Sequence, residues 1–268
     1  MNGAVEIWGE TVGGRGHPDN REAIFFPRPG EDVLDGDVAA RRGYLLAVVA
    51  GNAGGATGPA ARRAGQALLS ALIPAYYSHG GADTAERLRQ AVLEAAHTAR
   101  ERLAQPAADA TLLAALIDRH QLYLAQAGGG RAYRLRGETA ERLTRDVAPG
   151  TSGLLRDPDA RPDFSLMIPL QDGDRLLLCS DGLAGALDDE TLGKVGGRDR
   201  PSEAVARLIA LAQERGAPDD LSIIVAQLRV GAVMTRAHRA VLIALGGIAA
   251  ILSSWFFWEL VRYWRDAG

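Results

Sequence analysis

The chain is short of several things. Its only lysine is Lys194, its only cysteine is Cys179, and aromatic residues make up 6 % of it. A single cysteine excludes an intramolecular disulfide and fits a reducing compartment. Cys179 closes the apolar run Arg175-Leu176-Leu177-Leu178-Cys179. That setting predicts a small buried hydrophobe, not a nucleophile. Cationic excess is also missing. The net charge of −3 gives no ground for a nucleic-acid partner. The near-absence of lysine beside many arginines reads as composition, without chemical meaning. Nor is there an apolar leader. Met1 to Gly14 contains Glu6 and Glu10 and does not read as a signal peptide, so the main domain is expected in the cytoplasm.

Uncharged apolar runs of membrane length occur in one place. From Ala240 to Trp258 there are nineteen residues without a charge. At about 1.5 Å per helical residue they nearly span a bilayer core of roughly 30 Å. Arg236 and Arg239 precede the run, and Arg262 and Arg265 follow it. Trp255, Trp258, Tyr263 and Trp264 gather at its far end, as an interfacial aromatic belt would. The expectation is a single C-terminal anchor. Residues 1–230 form the main domain, 231–239 a linker, 240–264 a transmembrane helix and 265–268 a short tail. Gly246 and Ala250 have small-xxx-small spacing, a weak signal for helix pairing.

Hydrophobic residues make up 47 % of the 268, enough to bury a full core. "VEIWGETV" is β-rich but alternates poorly, and "EAIFFP" and "YLLAVVA" read as two further strands joined by a turn-rich connection. Two helices follow, at about Pro59–Tyr77 and from "DTAE" to about Gln105. In the second, Asp83 and Glu86 have capping-box spacing, and Leu88, Val92, Ala95 and Ala99 keep one apolar face. Then "ATLLAALI", "QLYLAQA", "RAYRLR" and "AERLT" read as a meander of antiparallel strands. "FSLMIPL" and "DRLLLCS" are strands, "GLAGAL" to about Val195 and Ser202 to Arg215 are helical, and "LSIIVAQLRV" closes the domain. This order predicts an α+β fold, with helices able to cover both sheets of a sandwich. No internal repeat or low-complexity tract interrupts it.

Carboxylates mark the chemistry. Asp181 follows an apolar strand, and Asp219 and Asp220 precede one. Acids gathered at strand ends tolerate each other only around a cation or a shared proton, and oxygen ligands point to Mg²⁺ or Mn²⁺. The glycine-rich turn after "YLLAVVA", in contrast, carries no acid, no lysine and no hydroxyl before Thr57. "GNAGGATG" lacks the Gly-Lys-Ser/Thr ending of a P-loop and the spacing of a dinucleotide fingerprint. His17, His97, His120 and His238 pair with no Ser or Cys motif, so ordinary structural roles are expected.

Five segments, in order from about Val5 to Arg229, resemble the metal-dependent protein phosphatases of the PPM, or protein phosphatase 2C, type. "GDRLLLCSDGLAGALDDE" resembles the family's SDGL segment. "QLYLAQAGGGRAYRL" resembles its strands around a Gly-Asp-Ser-Arg turn, and "GAPDDLSIIV" its closing Asp-Asn-(Ile/Leu)-(Ser/Thr) strand. "YLLAVVAGNAGG" is similar to its strand ending in Ala-Asp-Gly-Met-Gly-Gly, and "HPDNREAIFF" to its opening Arg-x-x-Asn-Glu-Asp-Ala. The resemblance implies a four-layer αββα sandwich of antiparallel sheets flanked by helices, here with one C-terminal transmembrane helix. It also implies hydrolysis of phosphoserine and phosphothreonine by hydroxide held between two metal ions that share an acid.

Carried over residue by residue, the same resemblance implies a degraded centre. The bridging Asp falls on Gly51 and the following Gly on Asn52. The Glu of the opening motif falls on Arg21 and its Asp on Glu22. The phosphate-binding Arg falls nearest His17, with Arg15 two residues earlier. The Asp of the Gly-Asp-Ser-Arg turn falls on Gly129. Asp181 and Asp219 remain, and with Glu22 they would hold at most one weakly bound Mg²⁺ or Mn²⁺. Two divalent ions without a shared carboxylate repel strongly. The expectation is a membrane-anchored pseudophosphatase that needs no cofactor and binds a protein partner: a kinase, a phosphoprotein or a membrane complex. An active serine/threonine phosphatase with an altered metal site is the alternative, and a membrane-tethered scaffold protein a third. Restoring Gly51→Asp, Arg21→Glu and Gly129→Asp should create activity if only ligands are missing.

Overall fold

A computed structural model describes residues 4–15, 19–28, 38, 41–52, 58–78, 83–104, 106–147 and 153–229. The chain divides into two compact units, Met1–Val230 and Gly231–Gly268. The expected linker, anchor and tail, together with His17, His238 and the glycine turn at 53–57, lie outside the described residues. Among the described residues no helix is long and apolar enough to cross a membrane.

The strands are β1 (Ala4–Val12), β2 (Glu22–Phe25), β3 (Tyr44–Asn52), β4 (Asp109–Asp118), β5 (Gln121–Ala127), β6 (Arg131–Arg136), β7 (Thr139–Arg142), β8 (Asp163–Pro169), β9 (Arg175–Cys179) and β10 (Leu221–Arg229). The helices are α1 (Gly58–Ser78), α2 (Thr84–Leu103), α3 (Asp181–Ala186), α4 (Asp189–Gly196) and α5 (Pro201–Glu214). One sheet has the order β1-β10-β9-β6-β7 and the other β2-β3-β4-β5-β8, and every pairing is antiparallel. Side-chain alternation in the strands sorts the core into three apolar layers. In β3, Leu45, Ala47 and Val49 pack toward Leu68 and Leu72 of α1 and Val92 of α2. Leu46 and Val48 point the other way, to Leu113, Leu176, Leu178 and Ile224 between the sheets. Leu177, Cys179, Ile223 and Val225 meet Leu183, Leu192 and Leu208 of the remaining helices. Two sheets with helices outside each make the expected α+β sandwich. Cys179 is buried in it, and burial pushes its thiol up to about 12.

Three sequence expectations change in detail. The meander is two hairpins in different sheets: β4 and β5 pair in one, β6 and β7 in the other. The chain changes sheets at Gly128–Gly130, where Gly128 has φ +106° and a Cβ would meet the Thr111 side chain at 2.5 Å. β1 alternates better than its letters suggest. Glu6, Trp8 and Glu10 are exposed, with Trp8 at 50 %, while Val5 and Ile7 turn inward. Asp83 does cap α2, accepting from the Ala85 amide at 2.8 Å, but Glu86 does not reach back to complete the box. Its carboxylate instead accepts from Arg89 at 2.9 Å and Gln90 at 3.1 Å on its own helix.

β10 carries the geometry that matters for the site. Its last residue, Arg229, pairs with Ala4, and its first, Leu221, with Val12 at the other end of β1. The acids Asp219 and Asp220 stand just before that first residue.

One buried acid outside the cleft has a purely structural task. The Asp109 carboxylate accepts from the amides of Ala110, Gly153 and Leu155, each at 2.8 Å. It thereby ties the 153–155 segment to the start of β4. Removing it leaves buried amides without acceptors. Asp109→Ala should cost roughly 2–4 kcal/mol in urea unfolding. A loss below about 1 kcal/mol would show that these amides find other partners.

Candidate functional site

Four chain segments converge at one end of the sandwich. Arg21 and Glu22 open β2, Ala50 and Gly51 lie near the end of β3, Asp181 opens α3, and Asp219 and Asp220 precede β10. With Thr111, which pairs with Ala50, they line a cleft of about 220 Å³. The expected residues Asp181, Asp219, Glu22, Arg21 and Gly51 are therefore brought together from positions up to 198 apart in sequence. Gly129 borders the same place: a Cβ there would lie 3.2 Å from the Asp181 Cβ. Asn52 pairs through its backbone with Asp109. Arg15 is exposed and does not line the cleft.

Asp220, read from the sequence as a strand-end acid but given no part in the site, is central to it. It is 1 % exposed, whereas the Asp219 side chain is 58 % exposed. Asp220 Oδ1 accepts from the Gly14 amide at 2.9 Å, and Oδ2 from the Arg21 amide at 2.9 Å and from Arg21 Nε at 3.1 Å. A buried carboxylate is tolerated only with such satisfaction. The Arg21 guanidinium also lies 3.7 Å from Asp219 Oδ1. A signal was present in the doubled acid "DD", whose second member stands where the resembling family has Asn. It had meaning only jointly with the arginine at position 21.

Glu22 is the most perturbed acid. Its Oε2 is shielded from water and has no hydrogen-bond partner. Burial above all, then the charges of Asp181 and Asp220, pushes its pKa up to about 8, against opposing hydrogen bonds from Ser222 and Ser180. An unfolded glutamate releases its proton near 4.5. Between those values the folded chain binds one proton more than the unfolded chain, so stability falls as pH rises from about 4.5 to about 8. Glu22→Gln mimics the protonated form and avoids that loss. Its stability advantage over the parent should grow across this window, to the order of a few kcal/mol, and level off above it. Urea unfolding at pH 5, 7 and 9 tests this, and an advantage that does not vary with pH would sink it.

Gly51 is closed in by main chain. Its amide donates to the Arg21 carbonyl at 3.0 Å, and it pairs with Ala110. A Cβ at this position would overlap the carbonyl of Ala61 in α1. The position expected to be an empty ligand place is thus filled by helix backbone. At Gly129 the three nearest atoms are all of the Asp181 side chain, with Oδ2 at 3.3 Å.

These residues do not fit a pair of metal ions. No acid can stand at position 51 without moving α1, and a guanidinium already lies among the carboxylates. Among the described residues no three His, Cys, Asp or Glu side chains are grouped so as to hold a metal ion. What the arrangement offers is a small cleft with exposed carboxylates at Asp181 and Asp219 and one internal ion pair.

Comparison with known proteins places this geometry. A family model described as Stage II sporulation protein E (SpoIIE) matches residues 47–229. The serine/threonine protein phosphatase PstP of Mycobacterium tuberculosis is 29 % identical over 211 residues, an alignment covering 69 % of this chain and 40 % of that protein. The chain therefore spans about two fifths of the length of the curated relatives it matches. The crystal structure of the PstP catalytic domain in complex with two manganese ions is similar with a TM-score of 0.68 at 24 % identity, over 84 % of this chain and 98 % of that one. The PPM Ser-Thr phosphatase MsPP from Mycobacterium smegmatis, in complex with cacodylate, is similar with a TM-score of 0.67 at 21 % identity, over 85 % of this chain and all of that one. At such identities the structural likeness speaks for the fold alone.

Proposed function

We propose, on the premise that this chain belongs to the Stage II sporulation protein E family and carries a PPM-type, protein phosphatase 2C-like domain, that it is a membrane-anchored pseudophosphatase acting by binding. The observation that carries this reading is the contact of α1 backbone with Gly51. The two-ion in-line attack that the resemblance implies uses hydroxide held between ions that share a carboxylate. Here there is neither that carboxylate nor space for one. The partner is a protein: a kinase, a phosphoprotein or a membrane complex. The apolar run from Ala240 to Trp258, with arginines on both sides, supports the anchor at 240–264.

The test is a hydrolysis assay on the full 268-residue chain with a phosphothreonine peptide and a simple aryl phosphate, with and without Mn²⁺. No metal-dependent turnover is expected. Robust Mn²⁺-dependent turnover that Asp181→Asn abolishes would overturn the reading. It would favour the second one, a one-ion hydrolase, whose sole support is that Asp181, Asp219 and Glu22 line the same cleft. Anchoring is tested separately: the chain should sediment with membranes and be released by detergent but not by alkaline carbonate.

A further inference from the structure

The cleft contains a cation of its own. Arg21 is mostly buried, and its guanidinium reaches Asp220 at 3.1 Å and Asp219 at 3.7 Å. We infer that the Arg21 guanidinium is the resident cation of this cleft, occupying with Asp220 the electrostatic place of a divalent ion, so that the folded domain is indifferent to Mg²⁺ and Mn²⁺.

Two arguments support this. First, Asp220 takes the amides of both Gly14 and Arg21, which stand near the two ends of the β1–β2 connection. Gly14 also packs so closely on the Pro218–Asp219 backbone that a Cβ there would overlap it. The two described ends of this connection are therefore fastened by the chain's own groups. Second, the guanidinium lies 3.7 Å from Asp219, one of the carboxylates that an incoming ion would need. A divalent ion there would meet a fixed positive charge in a partly desolvated site, where such repulsion is poorly screened.

The inference rests on the reading of the cleft as non-catalytic but fails separately from it. Thermal unfolding of the full chain is compared in EDTA and in millimolar MnCl₂, and Mn²⁺ binding is followed by loss of the free-ion paramagnetic resonance signal. The parent should show a change in Tm below about 1 °C, within ordinary scatter for a domain of this size, and no bound ion. The double variant Arg21→Glu with Asp220→Asn removes the resident cation and supplies an acid, keeping a hydrogen-bonding side chain at 220. It should bind Mn²⁺, with Tm rising by roughly 3–5 °C at ten times its Kd. Arg21→Lys retains a positive charge and should stay indifferent, which separates loss of charge from mere disturbance of the loop. A parent that binds Mn²⁺ overturns the inference, even if it hydrolyses nothing and the pseudophosphatase reading stands. A double variant that folds yet ignores Mn²⁺ overturns it as well.

Discussion

Replacing Gly51 with aspartate will destabilise the domain by roughly 3–5 kcal/mol, or leave it unfolded, and will not produce a phosphatase. A Cβ at this position would overlap the Ala61 carbonyl, and main chain cannot turn aside as a side chain can. Relief requires moving α1. That helix buries Ala61, Ala64, Leu68, Ala71, Leu72 and Ala75 in the core it shares with α2 and the second sheet, so a shift opens gaps along the whole contact. Restoring the missing acids is therefore expected to stop at its first step, because main chain holds the place that the carboxylate needs. Gly129→Asp is the matched control. There the nearest atoms belong to the Asp181 side chain, and the cost is like-charge repulsion in a site open to water, about 1 kcal/mol. Urea unfolding of both variants makes the comparison. A Gly51→Asp protein as stable as Gly129→Asp would disprove the steric account.

Arg21→Ala should cost roughly 2–4 kcal/mol, because it leaves the Asp220 carboxylate buried without its cation. The amides of Gly14 and Arg21 remain to support that carboxylate, which keeps the loss below the upper end for a broken buried pair. Asp220→Asn in the Arg21→Ala background should recover part of it, since the uncompensated charge goes. A coupling of about 1–3 kcal/mol in the double-mutant cycle is expected, with little sensitivity to salt. Additive effects would mean that the ion pair is incidental.

The fold was legible because its apolar runs are long and its punctuation is strong. Leu45 to Val49 alternate cleanly between two cores, and Arg119 and Gly137, both at positive φ, mark the hairpin turns at their expected places. What escaped was non-local. Nothing in "AGGGRAY" says which sheet receives the next strand, because the turn's direction depends on Thr111, seventeen residues before Gly128. The site divides in the same way. Asp181 and Asp219 could be found from strand ends, and the loss of an acid at Gly51 from the motif around it. The bond between Asp220 and Arg21 joins residues 199 apart and has no local signature. The approach of α1 to Gly51 is a matter of packing distance, which letters do not encode. Glu86 shows the converse error: capping-box spacing was present, but arginine and glutamine on the same helix took its carboxylate.

The course of β10 sets a reach. The cleft lies before its first residue, and its last, Arg229, is the last residue described, nine residues beyond Asp220. At about 3.3 Å per residue those two points are roughly 30 Å apart. Because Ala4 pairs with Arg229, the first and last described residues stand side by side at the end of the strand pair remote from the cleft. A spectroscopic label attached at either residue therefore stands clear of the cleft.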